Sequence, residues 1–79
     1  MKFIVRISLK SSILDPQGDA ISNSLKSLGF DNINSVRQGK IIEIDLEERN
    51  LEVGLETIKK MCNKLLVNNV IENFSIENE

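Results

Sequence analysis

The residues of this chain that could carry out chemistry are few, and they do not form a catalytic set. Histidine is absent from the 79 residues, and the one cysteine is Cys62. Histidine is the commonest general base near neutral pH, and a single cysteine forms neither an intrachain disulfide nor a paired-cysteine metal site. We therefore expect no catalytic residue and no metal site. Cys62 is interpreted as a small buried hydrophobe of a helix.

Carboxylates are the remaining candidates for acid–base or metal chemistry. Glu43, Asp45 and Glu47 alternate with the aliphatic residues of one predicted strand. Carboxylates at this spacing point to one side of the strand, where they could act as acids, bases or cation ligands. The same alternation is typical of a strand with one solvated side. We interpret these residues as that solvated side.

A phosphate-binding loop is also excluded by the residues present. The dipeptide Gly39-Lys40 would need glycine at position 34 and serine or threonine at position 41, where the chain has Asn34 and Ile41. The glycine-rich fingerprint of dinucleotide-binding proteins does not occur either.

Two short segments carry residues that helix capping and turn formation do not fully explain. Asp15-Pro16 predicts a helix start, yet Gly18 inside that helix costs about 1 kcal/mol relative to alanine. Such a glycine indicates close approach of another backbone, or an anion at the helix N-terminus. The second segment places two cations at a predicted hairpin tip, where they are either solvated or used for docking. The candidate partner-binding residues are Asp15, Gln17, Gly18, Arg37, Gly39 and Lys40.

The elements that would position these segments follow from the hydrophobic pattern. Residues 3–9 alternate as a strand, and residues 16–28 form a helix that Gly29 ends in the left-handed conformation. Residues 33–37 and 40–46 are predicted as a hairpin in which Gly39 is left-handed. A second helix covers residues 52–67, and a last strand over residues 70–76 is interrupted on its apolar side by Glu72.

This order predicts a single α+β domain over residues 1–79. The β-α-β-β-α-β sequence is that of a ferredoxin-like fold, a four-stranded antiparallel sheet with two helices on one face. A core of this size supplies only about 3–5 kcal/mol, so we expect self-association or a partner. Ile4, Ile41 and Ile71 lie opposite the predicted core side and are candidates for that contact.

Composition narrows the possible partners. The net charge is -2, and the chain has three Phe but no Trp or Tyr. Nucleic-acid binding usually needs a basic surface or exposed aromatic side chains, so it is disfavoured. No apolar run reaches the length of a membrane span, and Arg6 and Lys10 interrupt the N-terminal apolar stretch. We expect a cytoplasmic protein.

With these motifs in place, the chain resembles the PurS family, the small subunit of bacterial and archaeal phosphoribosylformylglycinamidine synthase. The motifs that carry the resemblance are L-D-P-Q-G at residues 14–18, L-G-F at residues 28–30 and V-R-Q-G-K at residues 36–40. Their order and spacing follow the family, and the match continues at Asn68, at residues 70–72 and at Phe74. The chain departs from the family at Asn69, where proline is frequent, and at Phe74, where tyrosine is frequent.

The resemblance implies a non-catalytic subunit that bridges two others. A glutaminase subunit would release ammonia, and an ATP-dependent synthetase subunit would use it to convert formylglycinamide ribonucleotide to formylglycinamidine ribonucleotide. ATP, Mg and glutamine would be used by the complex, with no cofactor bound by this chain. The resemblance also implies a homodimer or a dimer of dimers. A free-standing ligand-binding regulatory domain is the main alternative, and an acylphosphatase-like enzyme using Arg6 and Asn34 is a weaker one.

Overall fold

The structure, a computed structural model, describes residues 1–79. Its elements are β1 (Lys2–Leu9), α1 (Pro16–Ser27), β2 (Gly39–Asp45), α2 (Leu51–Met61) and β3 (Glu72–Asn78). A π-helical segment, Cys62–Leu66, continues α2 without a break. The second helix was thus predicted close to its observed extent. None of the helices combines the length and the apolar character needed to cross a bilayer.

The three strands form one antiparallel sheet with β1 in the centre. Val5 of β1 lies opposite Ile42 of β2 on one side and Ile76 of β3 on the other. Residues directly opposite in an antiparallel pair share a face, so the alternating apolar residues of all three strands build one hydrophobic face. We call it the core face.

The helix α2 covers the centre of the core face. Phe3, Val5, Ile7, Ile58, Cys62 and Val67 form the buried core. Gly54 lets α2 approach closely, because a β-carbon there would lie 2.8 Å from the ring of Phe3. The predicted burial of Cys62 is confirmed, and burial raises the pKa of its thiol.

The helix α1 begins and ends as the sequence predicts. Asp15 is the N-cap and Pro16 is the first helical residue. At the other end Gly29 has φ 103°, and the N–H of Phe30 donates to the carbonyl of Leu25 at 3.1 Å. This is a Schellman motif, which satisfies carbonyls of the last turn.

The strand predicted over residues 33–37 is absent, so that prediction is wrong. Residues 33–38 have no strand pairing, so the sheet has three strands and the four-stranded ferredoxin-like sheet is not formed. The backbone of this segment is used elsewhere: the N–H of Gln38 donates to Asp15, and the carbonyl of Val36 packs against Gly18. The prediction that Gly39 adopts the left-handed conformation is also wrong, because Gly29 is the only residue with positive φ.

Residues 16–38, which we call the arm, contribute nothing to the core. No residue of α1 belongs to the buried cluster or packs against it. Leu28 is 74% exposed and Phe30 is 54% exposed. The radius of gyration is 16.1 Å, whereas a compact chain of this length has about 12 Å. The chain is therefore elongated, with extents of 49 × 25 × 15 Å.

The assignment of the core predicts that a mutation at a buried position of α2 lowers the free energy of unfolding more than one at an exposed position. Ile58 is fully buried, so Ile58→Val should lower the free energy of unfolding by about 0.5–1.5 kcal/mol through loss of packing. Glu56→Ala, on the exposed side of the same helix, is the matched control and should stay within about 0.5 kcal/mol of wild type. Urea titrations followed by circular dichroism measure both. Equal midpoints for the two variants would contradict the assignment.

Candidate partner-binding site

The six predicted site residues meet where the arm joins the sheet. Asp15 is at the centre of this junction and is 5% exposed. Its Oδ1 accepts the backbone N–H of Gly18 at 2.9 Å, and its Oδ2 accepts the backbone N–H of Gln38 at 2.8 Å. One carboxylate thus joins the start of α1 to the start of β2. We call this pair of hydrogen bonds the Asp15 clamp.

The clamp favours the ionised carboxyl group. The N–H of Gln38 lowers the pKa of Asp15 most, followed by the N–H of Gly18. The positive charge of Arg37 lowers the same pKa, while burial acts in the opposite direction. Hydrogen bonds to a charged group are stronger than those to a neutral one, so the clamp is strongest when Asp15 is negative.

Gly18 is required by the packing at this junction. A β-carbon on Gly18 would collide with the carbonyl oxygen of Val36 and would lie 2.9 Å from the Asp15 Oδ2 atom. The predicted close approach of another backbone is therefore confirmed. The other explanation of Gly18 was an anion bound at the helix N-terminus. The N–H of Gly18 instead donates to the carboxylate of Asp15, which occupies that position.

Arg37 does not lie at a hairpin tip, because the predicted hairpin is absent. Its Nη2 atom donates to the carbonyl of Lys10 at 3.1 Å and to the carbonyl of Ile13 at 2.7 Å. These carbonyls belong to the loop between β1 and α1. Arg37 therefore holds that loop against the end of the arm, which is an internal contact that sequence analysis did not predict.

A polar cavity of about 310 Å³ opens beside the clamp. Its walls include Gln17, Gln38, Gly39 and Lys40. The side-chain amide of Gln38 donates to that of Gln17. Gly39 packs its backbone against the carbonyl of Ile7, which leaves no room for a β-carbon. The amides and charges of this cavity suit a polar side chain from a binding partner.

Sequence analysis missed Glu72 as a member of this site. Its Oε2 atom lies 3.8 Å from Nζ of Lys40 across the end of β1, and its Oε1 accepts the N–H of Asn68 at 2.8 Å. The signal was present, because Glu72 interrupts the apolar side of the last strand. No group of three or more histidine, cysteine or acidic side chains is placed to hold a metal ion.

A second surface is apolar and lies on the core face beside α2. Ile42 and Ile44 of β2 form one wall, and residues of α2 and the π-helical segment, among them Met61, Leu65 and Leu66, form the other. Lys60 and Lys64 also line this space of about 460 Å³. We call it the α2 groove. Leu65 is 84% exposed, so the groove leaves a large apolar side chain in solvent.

The clamp predicts a specific pH dependence of stability. Because the folded-state pKa of Asp15 is lowered, its contribution is present above the unfolded value of about 3.9 and is lost as pH falls through the folded value. Wild type should lose more stability between about pH 5 and pH 3 than Asp15→Asn, whose amide nitrogen cannot accept the N–H of Gln38.

The matched control is Asp31→Asn, at an exposed aspartate in the same arm. It should keep the wild-type pH dependence. Urea midpoints measured across this pH range provide the comparison. An unchanged pH slope in Asp15→Asn would show that the clamp does not depend on the carboxylate charge.

Comparison with known families agrees with this architecture along the whole chain. The family model of PurS, described as phosphoribosylformylglycinamidine (FGAM) synthase, matches residues 2–79. The PurS subunit of this synthase from Bacillus subtilis is 44% identical over 78 residues, which cover 99% of this chain and 92% of the relative.

Solved structures give the same result. The crystal structure of PurS from Methanocaldococcus jannaschii has a TM-score of 0.86 at 41% identity, covering 96% of this chain and 92% of that chain. A chain in the structure of PurLQS from Thermotoga maritima has a TM-score of 0.87 at 33% identity, covering 96% of this chain and 93% of that one. Sequence and fold agree over nearly the full length, and this chain belongs to the PurS family.

Proposed function

We propose that this chain is a non-catalytic subunit of phosphoribosylformylglycinamidine synthase in purine biosynthesis. The observation that carries the proposal is the match of residues 2–79 to the PurS family. The similarity to a chain of PurLQS from Thermotoga maritima supports a role inside a complex. In that role the chain bridges the glutaminase and synthetase subunits and supports ammonia transfer, while ATP, Mg and glutamine are bound by the other subunits.

The junction of arm and sheet is the proposed docking site for a partner subunit. Its backbone is held by the Asp15 clamp and by Arg37, so it presents the polar cavity in a defined shape. A preorganised surface loses less conformational entropy on binding than a flexible one. Lys40 is 58% exposed beside Glu72, which leaves its ammonium group accessible to an acceptor on the partner.

The docking role predicts that Lys40→Gln slows product formation driven by glutamine but not product formation driven by added ammonium. Loss of one exposed ion pair costs about 0.5–1 kcal/mol, which weakens docking roughly two- to fivefold. With limiting small subunit, the reconstituted complex should form product more slowly from glutamine in this proportion. The rate driven by saturating ammonium should change little, because the synthetase site is untouched.

Lys59→Gln is the matched control, since Lys59 is exposed on α2 and lies outside the junction. It should leave both rates unchanged. Arg37 is less suitable for this test because its guanidinium group also bonds the chain's own carbonyls. Equal losses in the two assays of Lys40→Gln would indicate that the chain shapes the synthetase site instead, and no loss in either would remove Lys40 from the docking surface.

We propose further that the chain acts as a homodimer or as a dimer of dimers. Only six apolar residues form the buried core, which is little support for a folded chain of this size. Leu14, Leu28, Leu65 and Val70 are each more than 70% exposed. Ile41, one of the residues expected on the contact surface, is 57% exposed. Association would bury part of this apolar surface.

The dimer proposal predicts the mass of the isolated protein. At micromolar concentration, sedimentation equilibrium should give twice the mass of the 8.9 kDa chain, or a multiple of that value. Burial of exposed apolar side chains is the expected driving force. Dilution should therefore lower the unfolding midpoint, since dimer stability depends on protomer concentration. A folded monomer at micromolar concentration would contradict the proposal.

A further inference from the structure

We infer that the junction of arm and sheet receives a carboxylate from a partner subunit, an Asp or Glu side chain that stands next to an apolar residue, and that Lys40 binds it. This contact deepens the docking site proposed above and rests on that proposal. Lys40 and Glu72, the two members of one ion pair, then have opposite effects on docking. The cation favours it, and the carboxylate opposes it.

The polar cavity at the junction exposes its cation and hides its anions. Three charged side chains line it, those of Asp15, Lys40 and Glu72. Asp15 is 5% exposed, and both of its oxygens accept backbone N–H groups. The side chain of Lys40 is 58% exposed, whereas that of Glu72 is 16% exposed. A group that enters from solvent therefore meets the ammonium group first, and a negative charge complements it.

The ammonium group of Lys40 is free to take a new partner. Its Nζ lies 3.8 Å from Oε2 of Glu72, which is longer than a hydrogen bond between charged groups, about 2.7–2.9 Å. Oε1 of Glu72 already accepts the N–H of Asn68 at 2.8 Å. The amide oxygen of Gln17 accepts from Gln38, which leaves the NH₂ group of Gln17 as a second donor. A carboxylate accepts at both oxygens, so it can bind the two donors together.

Arg37 adds a second positive charge beside the cavity. Its Nη2 atom holds the loop that carries Leu14, through the carbonyl of Ile13 at 2.7 Å. The positive charge of Arg37 also lowers the pKa of Asp15, so its field reaches the cavity. With Lys40 it balances the two carboxylates that line the cavity. An incoming carboxylate therefore meets no net negative charge.

Exposed apolar side chains favour a protein segment over a free anion as the ligand. Leu14 directly precedes Asp15 and is 81% exposed, and Val70, in the loop before β3, is 79% exposed. The two loops meet at one end of the sheet, where the N–H of Lys10 donates to the carbonyl of Ile71 at 2.8 Å. Inorganic phosphate gains nothing from this apolar surface, whereas a peptide segment buries it. The partner's carboxylate therefore has an apolar neighbour.

The experiment joins carboxylates to amines with a carbodiimide in the reconstituted complex of the wild-type chain, the glutaminase and the synthetase. The reagent activates a carboxylate, the amine displaces it as a urea, and an amide bond links only groups in direct contact. In the chain alone, Lys40 should couple to Glu72, its neighbour in the ion pair. In the complex we expect Lys40 joined to an Asp or Glu of a partner subunit, identified by mass spectrometry, and less of the Lys40–Glu72 product.

Four other results would overturn the inference. A complex that forms product from glutamine but joins Lys40 only to Glu72 would do so and leave the proposed function intact. Coupling of Lys40 to a second copy of the chain would assign the junction to self-association. Saturable binding of inorganic phosphate to the chain alone, lost in Lys40→Gln, would assign the cavity to a free anion. A chain that neither joins the two subunits nor supports the glutamine-driven rate would overturn the proposed function as well.

Glu72→Gln should strengthen docking, a sign that a purely structural ion pair would not give. Glutamine keeps an oxygen that accepts the N–H of Asn68 and removes the negative charge that competes for Lys40. The concentration of chain that gives the half-maximal glutamine-driven rate should fall about two- to fivefold. Glu77→Gln is the matched control, because it removes the carboxylate of an exposed ion pair with Arg6, and it should change nothing. Weaker or unchanged docking of Glu72→Gln would overturn the inference.

Leu14→Ala measures the apolar part of the contact. It should raise the same half-maximal concentration about tenfold, because apolar area is lost from the docked surface. Val53→Ala, at a position that is 49% exposed on α2, is the matched control and should stay within about twofold of wild type. Equal values for the two variants would overturn the apolar contact. Loss of the dimer in Leu14→Ala by sedimentation would place Leu14 in the self-association surface and overturn that contact too.

Discussion

The course of the chain between β1 and β2 is set by the carboxylate of Asp15, which accepts hydrogen bonds from two backbone N–H groups that are far apart in the sequence. Its bond to Gly18 caps α1, and its bond to Gln38 brings the returning chain back to the sheet. Both contacts need the glycine at position 18, because a side chain there would push Val36 away. One polar contact thus sets both the start of the helix and the path of the chain beyond it.

This path has a consequence for stability. The sheet and α2 share a small core, and α1 adds no side chain to it. Folding must offset a backbone entropy cost of about 1–2 kcal/mol per residue, and the arm gains little burial within its own chain to do so. An elongated subunit with uncovered apolar surface is therefore suited to assembly rather than to independent existence, which agrees with the proposed role in a multisubunit enzyme.

Much of the local structure was predictable because it depends on residues near one another in the chain. The caps of α1, the left-handed Gly29 and the alternating residues of β1 and β2 are confirmed. The prediction of a strand over residues 33–37 was wrong. These residues have an apolar pattern that fits a strand, but a strand forms only if a neighbouring strand pairs with it. Gly39 was assigned to a turn that this missing hairpin would have needed.

The ends of α1, the alternation of β1 and β2, the unusual glycine at position 18 and the motifs that identify the family could all be recognised in the amino-acid sequence. These features rest on short-range sterics and hydrogen bonding, which residue type and spacing report directly. Three features became visible only in the folded chain: Arg37 bonds the loop before α1, Glu72 faces Lys40, and α1 leaves its own core uncovered. Each depends on where distant segments meet, and the free energy of those long-range contacts is not encoded in any local pattern.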